Sequence, residues 1–156
     1  MKVIILFVSV AIATHAQTFS LSGEVLKPLT LSAKDLATME TSEIKAKDKD
    51  GNEHNFKGVM LWKVLNSAGV TLGKDLRGEN LAKYVLVKAS DGYEVIFSLP
   101  EIDPEFTSKT ILLAYEVDGK PLPSTEGPFR LVVPEDKKHA RWIRQLQSIQ
   151  VLFSRN

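Results

Sequence analysis

Three Asp-Gly pairs, Asp50-Gly51, Asp91-Gly92 and Asp118-Gly119, punctuate runs of strand-forming residues, and they limit this chain more than any other feature does. An Asp-Gly pair supplies the positive φ that tight connections between antiparallel strands require. The clearest case is Ser90-Asp91-Gly92: Tyr84–Ala89 before it and Tyr93–Leu99 after it are rich in β-branched and aromatic residues and predict a hairpin. Glu43–Lys47 and Glu53–Phe56 flank Asp48-Lys49-Asp50-Gly51-Asn52 and predict a second one. Thr110–Val117 predicts another strand, stopped by Asp118-Gly119 and by Pro121 and Pro123, while Phe129–Val133 is a short apolar strand that Pro134 ends. Alternation of Ile149, Val151 and Phe153 predicts that Leu146–Phe153 closes the chain as a half-buried strand.

Helical signals are fewer. Ser32-Ala33-Lys34-Asp35 followed by Leu36 and Met39 has the form of a capping box, with Asp35 in place of the usual Glu, on a short helix near 33–39. Leu61, Trp62, Val64, Leu65 and Ala68 recur at helical spacing and stop at Gly69, and Gly58 reads as the point where a strand turns into that helix. Trp62 and Trp142 read as packing residues. Without repeats, low-complexity tracts or a long linker, the pattern predicts an α+β fold: one β-rich mixed domain with two or three short helices and seven or more strands.

The chain contains no cysteine. That absence gains weight from the N-terminus, where Met1-Lys2 precedes the eleven-residue apolar run Val3–Ala13 and then Thr14-His15-Ala16. A membrane span needs about 20 apolar residues, so this run reads as a secretory signal peptide over 1–16, cleaved after Ala16, with the domain proper over 17–156. Export to a periplasm or to the outside of the cell is the expectation. An exported chain without Cys is no disulfide scaffold and offers no thiol nucleophile, iron–sulfur cluster or thiolate-held metal. A three-histidine zinc site is excluded as well, because one of the three histidines, His15, lies in the leader. With 20 Lys and Arg against 19 Asp and Glu, no bulk charge draws the protein to nucleic acid or to anionic membranes.

Catalytic signatures are missing: there is no Gly-x-Ser-x-Gly elbow, phosphate-binding loop, His-Glu-x-x-His or dinucleotide fingerprint. Asp48, Asp50 and Glu53 interleave with Lys45, Lys47 and Lys49 and read as a solvated hairpin rather than a calcium loop, with His54 exposed on its return strand.

Four segments, in order, resemble the molybdopterin-binding domain of the sulfite oxidase family. They are Leu21-Ser22-Gly23-Glu24-Val25 leading to Pro28; Lys57-Gly58-Val59-Met60-Leu61-Trp62-Lys63-Val64-Leu65 with Ala68-Gly69-Val70; Ala89-Ser90-Asp91-Gly92-Tyr93; and Leu112–Pro123 running on through Gly127-Pro128-Phe129-Arg130-Leu131-Val132-Val133-Pro134 to Arg141-Trp142. The resemblance implies that family's fold and, by name, a molybdopterin-dependent oxidoreductase.

The chemistry that the resemblance implies is incomplete. Family members ligate molybdenum with a cysteine thiolate between the first strand region and the Gly-Val-Leu helix; here that stretch, Ile44 to Asn52, is polar and without sulfur. The family's arginine- and histidine-bearing anion-binding segment near the N-terminus has no counterpart, since the first Arg is Arg77. A bacterial holoenzyme loaded in the cytoplasm is exported folded behind a twin-arginine leader, whereas this leader has Lys2 alone. What remains is the basic segment after Pro134, where Lys137, Lys138, His139, Arg141 and Arg144 fall within eight residues around Trp142. Its plain structural reading is a solvated edge strand protected by charge. Its functional reading, carried over from the resemblance, is a cofactor wall made by Asp91, Tyr93, Glu126, Lys138, His139 and Arg141, with Glu126 departing from the histidine that relatives carry before Gly-x-Pro.

The expectation is therefore an exported domain that has lost redox chemistry and binds a small anionic molecule or a protein partner, with no catalytic residue, no metal ligand and no cofactor of its own. The alternative is a molybdopterin-dependent oxidoreductase whose metal is held by the pterin alone.

Overall fold

The computed structural model describes residues 17–155; the expected leader, 1–16, lies outside the described residues. Ten strands form two sheets. The first comprises β1 (Thr18–Gly23), β2 (Leu29–Ser32), β5 (Lys83–Ala89), β6 (Glu94–Ser98) and β10 (Leu146–Phe153) in the order β2-β1-β10-β5-β6. The second comprises β3 (Ser42–Lys47), β4 (Glu53–Met60), β7 (Leu112–Val117), β8 (Lys120–Pro121) and β9 (Arg130–Val132), ordered β3-β4-β7-β8 with β9 also paired to β7. All pairs are antiparallel except β1 with β10, where Leu21 faces Ile149 in a parallel register. Two short helices, α1 (Ala33–Ala37) and α2 (Leu61–Ser67), complete an α+β architecture.

Alternation explains the first sheet. Phe19, Leu21, Val85, Val87, Val95, Phe97, Ile149 and Val151 are all buried, and their neighbours along each strand point the other way. These side chains share one core with Phe56, Val59, Leu112, Leu113 and Leu131 of the second sheet, and Phe19 meets Phe129 edge to face at 4.9 Å. The α1 capping box forms as the sequence predicts: the Asp35 amide donates to Ser32 Oγ, and the Ser32 amide donates to the Asp35 carboxylate. Such a cap contributes about 1 kcal/mol.

The tight turns also follow the sequence. Gly51 and Gly92 have φ of +83° and +88°, and both Asp118 and Gly119 lie at positive φ, as a two-residue hairpin connection of mirror-image type demands.

Four readings need correction. Gly58 does not end its strand; β4 runs on to Met60, and Gly58 sits at a bulge against β7 where a Cβ would lie 2.1 Å from the Leu113 carbonyl oxygen. The segment after Pro134 is no edge strand, because Trp142 and Ile143 are buried and the chain tightens into a single 3₁₀ turn at His139–Arg141. Asp48 is not solvated: it is buried against Arg130. His54 is not simply exposed, since both of its ring nitrogens are bonded to carboxylates.

Candidate functional site

Hydrogen bonds draw three turns and a loop to one place. The Tyr93 hydroxyl, just past the β5–β6 turn, donates to the Ala140 carbonyl at 2.9 Å, and the Ser90 amide donates to the Gln145 carbonyl at 3.0 Å. His139 bonds through Nε2 to the Lys47 carbonyl at 2.8 Å, at the end of β3. A carbonyl only accepts, so His139 carries its proton on Nε2, and its ring stands edge-on to Trp142 at 4.4 Å. The Gln145 amide in turn donates to the Glu126 carbonyl at 2.8 Å. Between these segments lies a cleft of about 400 Å³ lined by Lys49, Asp91, Tyr93, His139 and Arg144 over a floor that includes Trp142.

Behind the cleft is a group of four charges. Arg130, fully buried in the short strand β9, donates from Nη1 to Asp48 at 2.8 Å and to Glu126 at 2.6 Å, and from Nη2 to the other Asp48 oxygen at 3.3 Å. Its guanidinium carbon lies 5.1 Å from the Phe56 ring centroid and 5.6 Å from that of Trp142, which leaves the plane stacked among aromatics. Burial pushes the Asp48 carboxyl up, but the Arg130 hydrogen bonds and the Lys49 amide outweigh it and hold that carboxyl below its ordinary range. Arg144 approaches the same two acids from outside, at 3.4 Å from Glu126 and 3.9 Å from Asp48, with its side chain 35% exposed. It lines both the main cleft and a smaller one of about 210 Å³ that also contains Asp50, His54 and Asp118.

Arg141 belongs to a different group. Nε and Nη2 bond both oxygens of Asp136 at 2.8 Å, Nη1 bonds Glu101 at 3.0 Å, and the guanidinium lies 4.5 Å from the Phe97 centroid. Lys109 joins the two acids at 3.4 and 3.7 Å. This fork-to-fork geometry leaves Arg141 little to offer a ligand.

Of the residues expected at the site, the structure brings Asp91, Tyr93 and His139 to the cleft. Asp91 caps its own turn through the Tyr93 amide at 3.0 Å, and Tyr93 presents a half-exposed ring while its hydroxyl is engaged. Glu126 faces the smaller cleft and Arg130, whereas Lys138 is exposed and, with Arg141, lines neither. Sequence reasoning missed Arg130 and Lys49 as site groups, and it counted Arg144 in the basic segment without assigning it to the wall. A lone charge inside the apolar run Phe129–Val133 was the available sign of a buried ion pair.

The oxidoreductase molybdopterin binding domain family matches residues 7–155. The chain belongs to this family. No curated protein is similar enough to the chain to count as a relative. Among solved structures it is similar to the crystal structure of the sulfane dehydrogenase SoxCD from Paracoccus pantotrophus, with 18% identity over 87% of this chain and a TM-score of 0.68. At that identity the likeness is one of fold, and the aligned part covers 38% of the SoxCD chain. The β-rich mixed domain is thus the family's molybdopterin-binding fold.

A molybdenum centre held by a thiolate does not fit the residues present in this family member. The stretch from Ile44 to Asn52 offers no sulfur, and its one buried ligand-type side chain, Asp48, is engaged through both oxygens by Arg130. A hard carboxylate already neutralised by a guanidinium does not replace a soft thiolate. Among the described residues no group of three or more His, Asp or Glu is placed to hold a metal ion, and no helix is long and apolar enough to cross a membrane.

Proposed function

We propose that this family member is an exported, non-redox domain that binds a small anionic molecule in the cleft between Lys49, Tyr93, His139 and Arg144. The observation that carries the reading is the buried Asp48–Arg130 ion pair, which closes the metal-ligand stretch while the cationic wall beside it stays open. Arg144 supports it: its carboxylate contacts are long and its side chain is accessible, so an incoming carboxylate or phosphate can take up its donors. Lys49, exposed and without an ion pair among the described residues, adds a second positive charge, and the Tyr93 ring offers a flat apolar face for a ring or chain attached to the anion. The apolar run at residues 3–13 supports delivery to a periplasm or beyond the cell, and the balanced charge supports a partner other than nucleic acid.

The deciding experiment has two parts on protein purified from its native host. Elemental analysis for molybdenum and fluorescence of the released, oxidised pterin are each expected to give well below one per chain. An NMR titration with inorganic phosphate and a phosphorylated pterin is expected to shift amides of residues 49, 93, 139 and 144 together. Near-equimolar molybdenum with turnover of sulfite or a sulfoxide would establish the redox alternative, in which the pterin alone holds the metal. Shifts scattered over the surface would place binding elsewhere.

A further inference from the structure

At the opposite end of the first sheet Lys83, the first residue of β5, is buried with 8% of its side chain exposed. Burying an ammonium is costly unless strong partners replace its water. Lys83 has weak ones: Thr71 Oγ1 at 3.3 Å, the Glu24 carboxylate at 4.0 Å and the face of Phe153 at 4.8 Å. The fully buried Arg130, by contrast, bonds Glu126 at 2.6 Å and Asp48 at 2.8 and 3.3 Å. Lys83 faces a pocket of about 350 Å³ whose other walls are Thr71, the Glu24-Val25-Leu26 loop and the glycines Gly23 and Gly69. Both glycines lie at positive φ, and the Leu26 and Lys27 amides share the Ala68 carbonyl, so the loop after β1 is fixed against the end of α2 and the pocket is preformed.

We propose that Lys83 and Thr71 form a second ligand site, for a small carboxylate, with Glu24 as a removable stand-in at its mouth. The charge inventory selects the class. One ammonium and one hydroxyl match the two oxygens of a carboxylate, whereas a dianionic phosphate would face the Glu24 charge with a single cation to balance it. Glu24 is about half exposed and just within ion-pair reach, so a ligand carboxylate at ordinary hydrogen-bond distance displaces it at little cost. Lys83 and Ala89 bound β5, and Ala89 lines the main cleft. At about 3.3 Å per residue the two sites lie roughly 20 Å apart, and occupancy of one does not require the other.

The test is a titration of the whole mature chain with acetate at constant ionic strength, followed through the Lys83 Cε and Leu26 methyl resonances. Saturable shifts at both are expected, with inorganic phosphate giving much smaller ones there. Lys83→Met, close in volume, is expected to abolish the acetate response, and Thr71→Val to weaken it by about two- to tenfold, one hydrogen bond's worth. Glu24→Gln is the discriminating variant, because removing a competing anion tightens acetate by up to about fivefold. A purely structural Lys83–Glu24 pair predicts no saturable acetate shifts in the parent and none in Glu24→Gln, and that result, or an equal response to phosphate, overturns the proposal.

Discussion

Asp48 and Arg130 lie 82 positions apart in sequence and meet in a buried two-pronged ion pair, at 2.8 and 3.3 Å, that ties the β3–β4 turn to strand β9. Arg130 also holds Glu126, and its Nε is left without a hydrogen-bond partner among the described residues. Arg130 thus joins the β3–β4 turn to the loop at residue 126, both of which line the smaller cleft. Arg130→Met leaves the buried Asp48 and the part-buried Glu126 with only the longer Arg144 contacts and is expected to cost about 3 kcal/mol in chemical denaturation. Asp48→Asn in the same background should cost far less than it does alone, because the charge it removes no longer has a partner. Additive effects in that double-mutant cycle would show that the two side chains act independently.

His54 bridges two turns through Nδ1 to Asp118 at 2.6 Å and Nε2 to Asp50 at 2.7 Å. The Asp118 bond, then the Asp50 bond, push its pKa up to about 9, while the His54 bond and the Asn52 amide draw Asp50 down to about 2. A raised folded pKa stabilises fully below the unfolded value near 6.5 and is lost as pH climbs towards 9. Depressed carboxylates work in the opposite sense, present above their ordinary range and lost as pH falls towards 2. The clip is therefore strongest from about pH 4 to 6.5. Imidazole proton shifts are expected to place the His54 midpoint far above that of a free histidine, and Asp118→Asn to bring it down; a midpoint near 6.5 in the parent would contradict both bonds.

What the sequence made legible is what depends on near neighbours. The Asp35 cap, the Asp91-Gly92 turn and the alternation in β10 are set by residues within four positions of one another, so their chemistry can be read along the chain. Asp48 looked solvated because its neighbours are lysines, and nothing local announces Arg130. Arg141 and Arg144 stand three residues apart in one basic run, yet the first is closed by Asp136 and Glu101 and the second is open, a difference made by the Ser98-capped turn and the loop at residue 126. Strands β1 and β2 carry a readable Phe19–Leu21 and Leu29–Leu31 alternation, but four to six residues rich in Ser and Thr also suit a loop, and the parallel partner β10 lies over a hundred residues away.

Gly58 gives a test of the β4–β7 bulge. A Cβ there would lie 2.1 Å from the Leu113 carbonyl oxygen and 2.7 Å from the Ala114 Cα, both backbone atoms that cannot rotate aside. Gly58→Ala is expected to destabilise by about 1–3 kcal/mol, the range for overpacking a well-ordered core. Gly92→Ala is the informative contrast: its Cβ meets nothing, so only the positive φ of +88° is penalised, and about 1 kcal/mol is expected. Equal losses at both positions, read from denaturation midpoints, would mean that the bulge has room to relax.

The two arginines of the basic run separate stability from binding. Arg141 donates to both Asp136 oxygens and to Glu101, and its removal leaves these two carboxylates with only Lys109 to balance them. At 28% side-chain exposure, solvent takes over part of that loss, so Arg141→Ala is expected to lower stability by about 1–2 kcal/mol while leaving phosphate affinity at the cleft within about twofold. Arg144→Ala should do the reverse. Its contacts to Glu126 and Asp48 are long, so stability should change by less than about 0.5 kcal/mol. A ligand anion that gains a charge-assisted bond from it should bind about 1.5–3 kcal/mol more weakly once it is gone. Thermal melts and phosphate titrations on the two variants distinguish the roles. If Arg141→Ala lost the ligand and Arg144→Ala did not, the anion would sit on the Asp136 side of the 3₁₀ turn, and the cleft between Tyr93 and His139 would have no part in binding it.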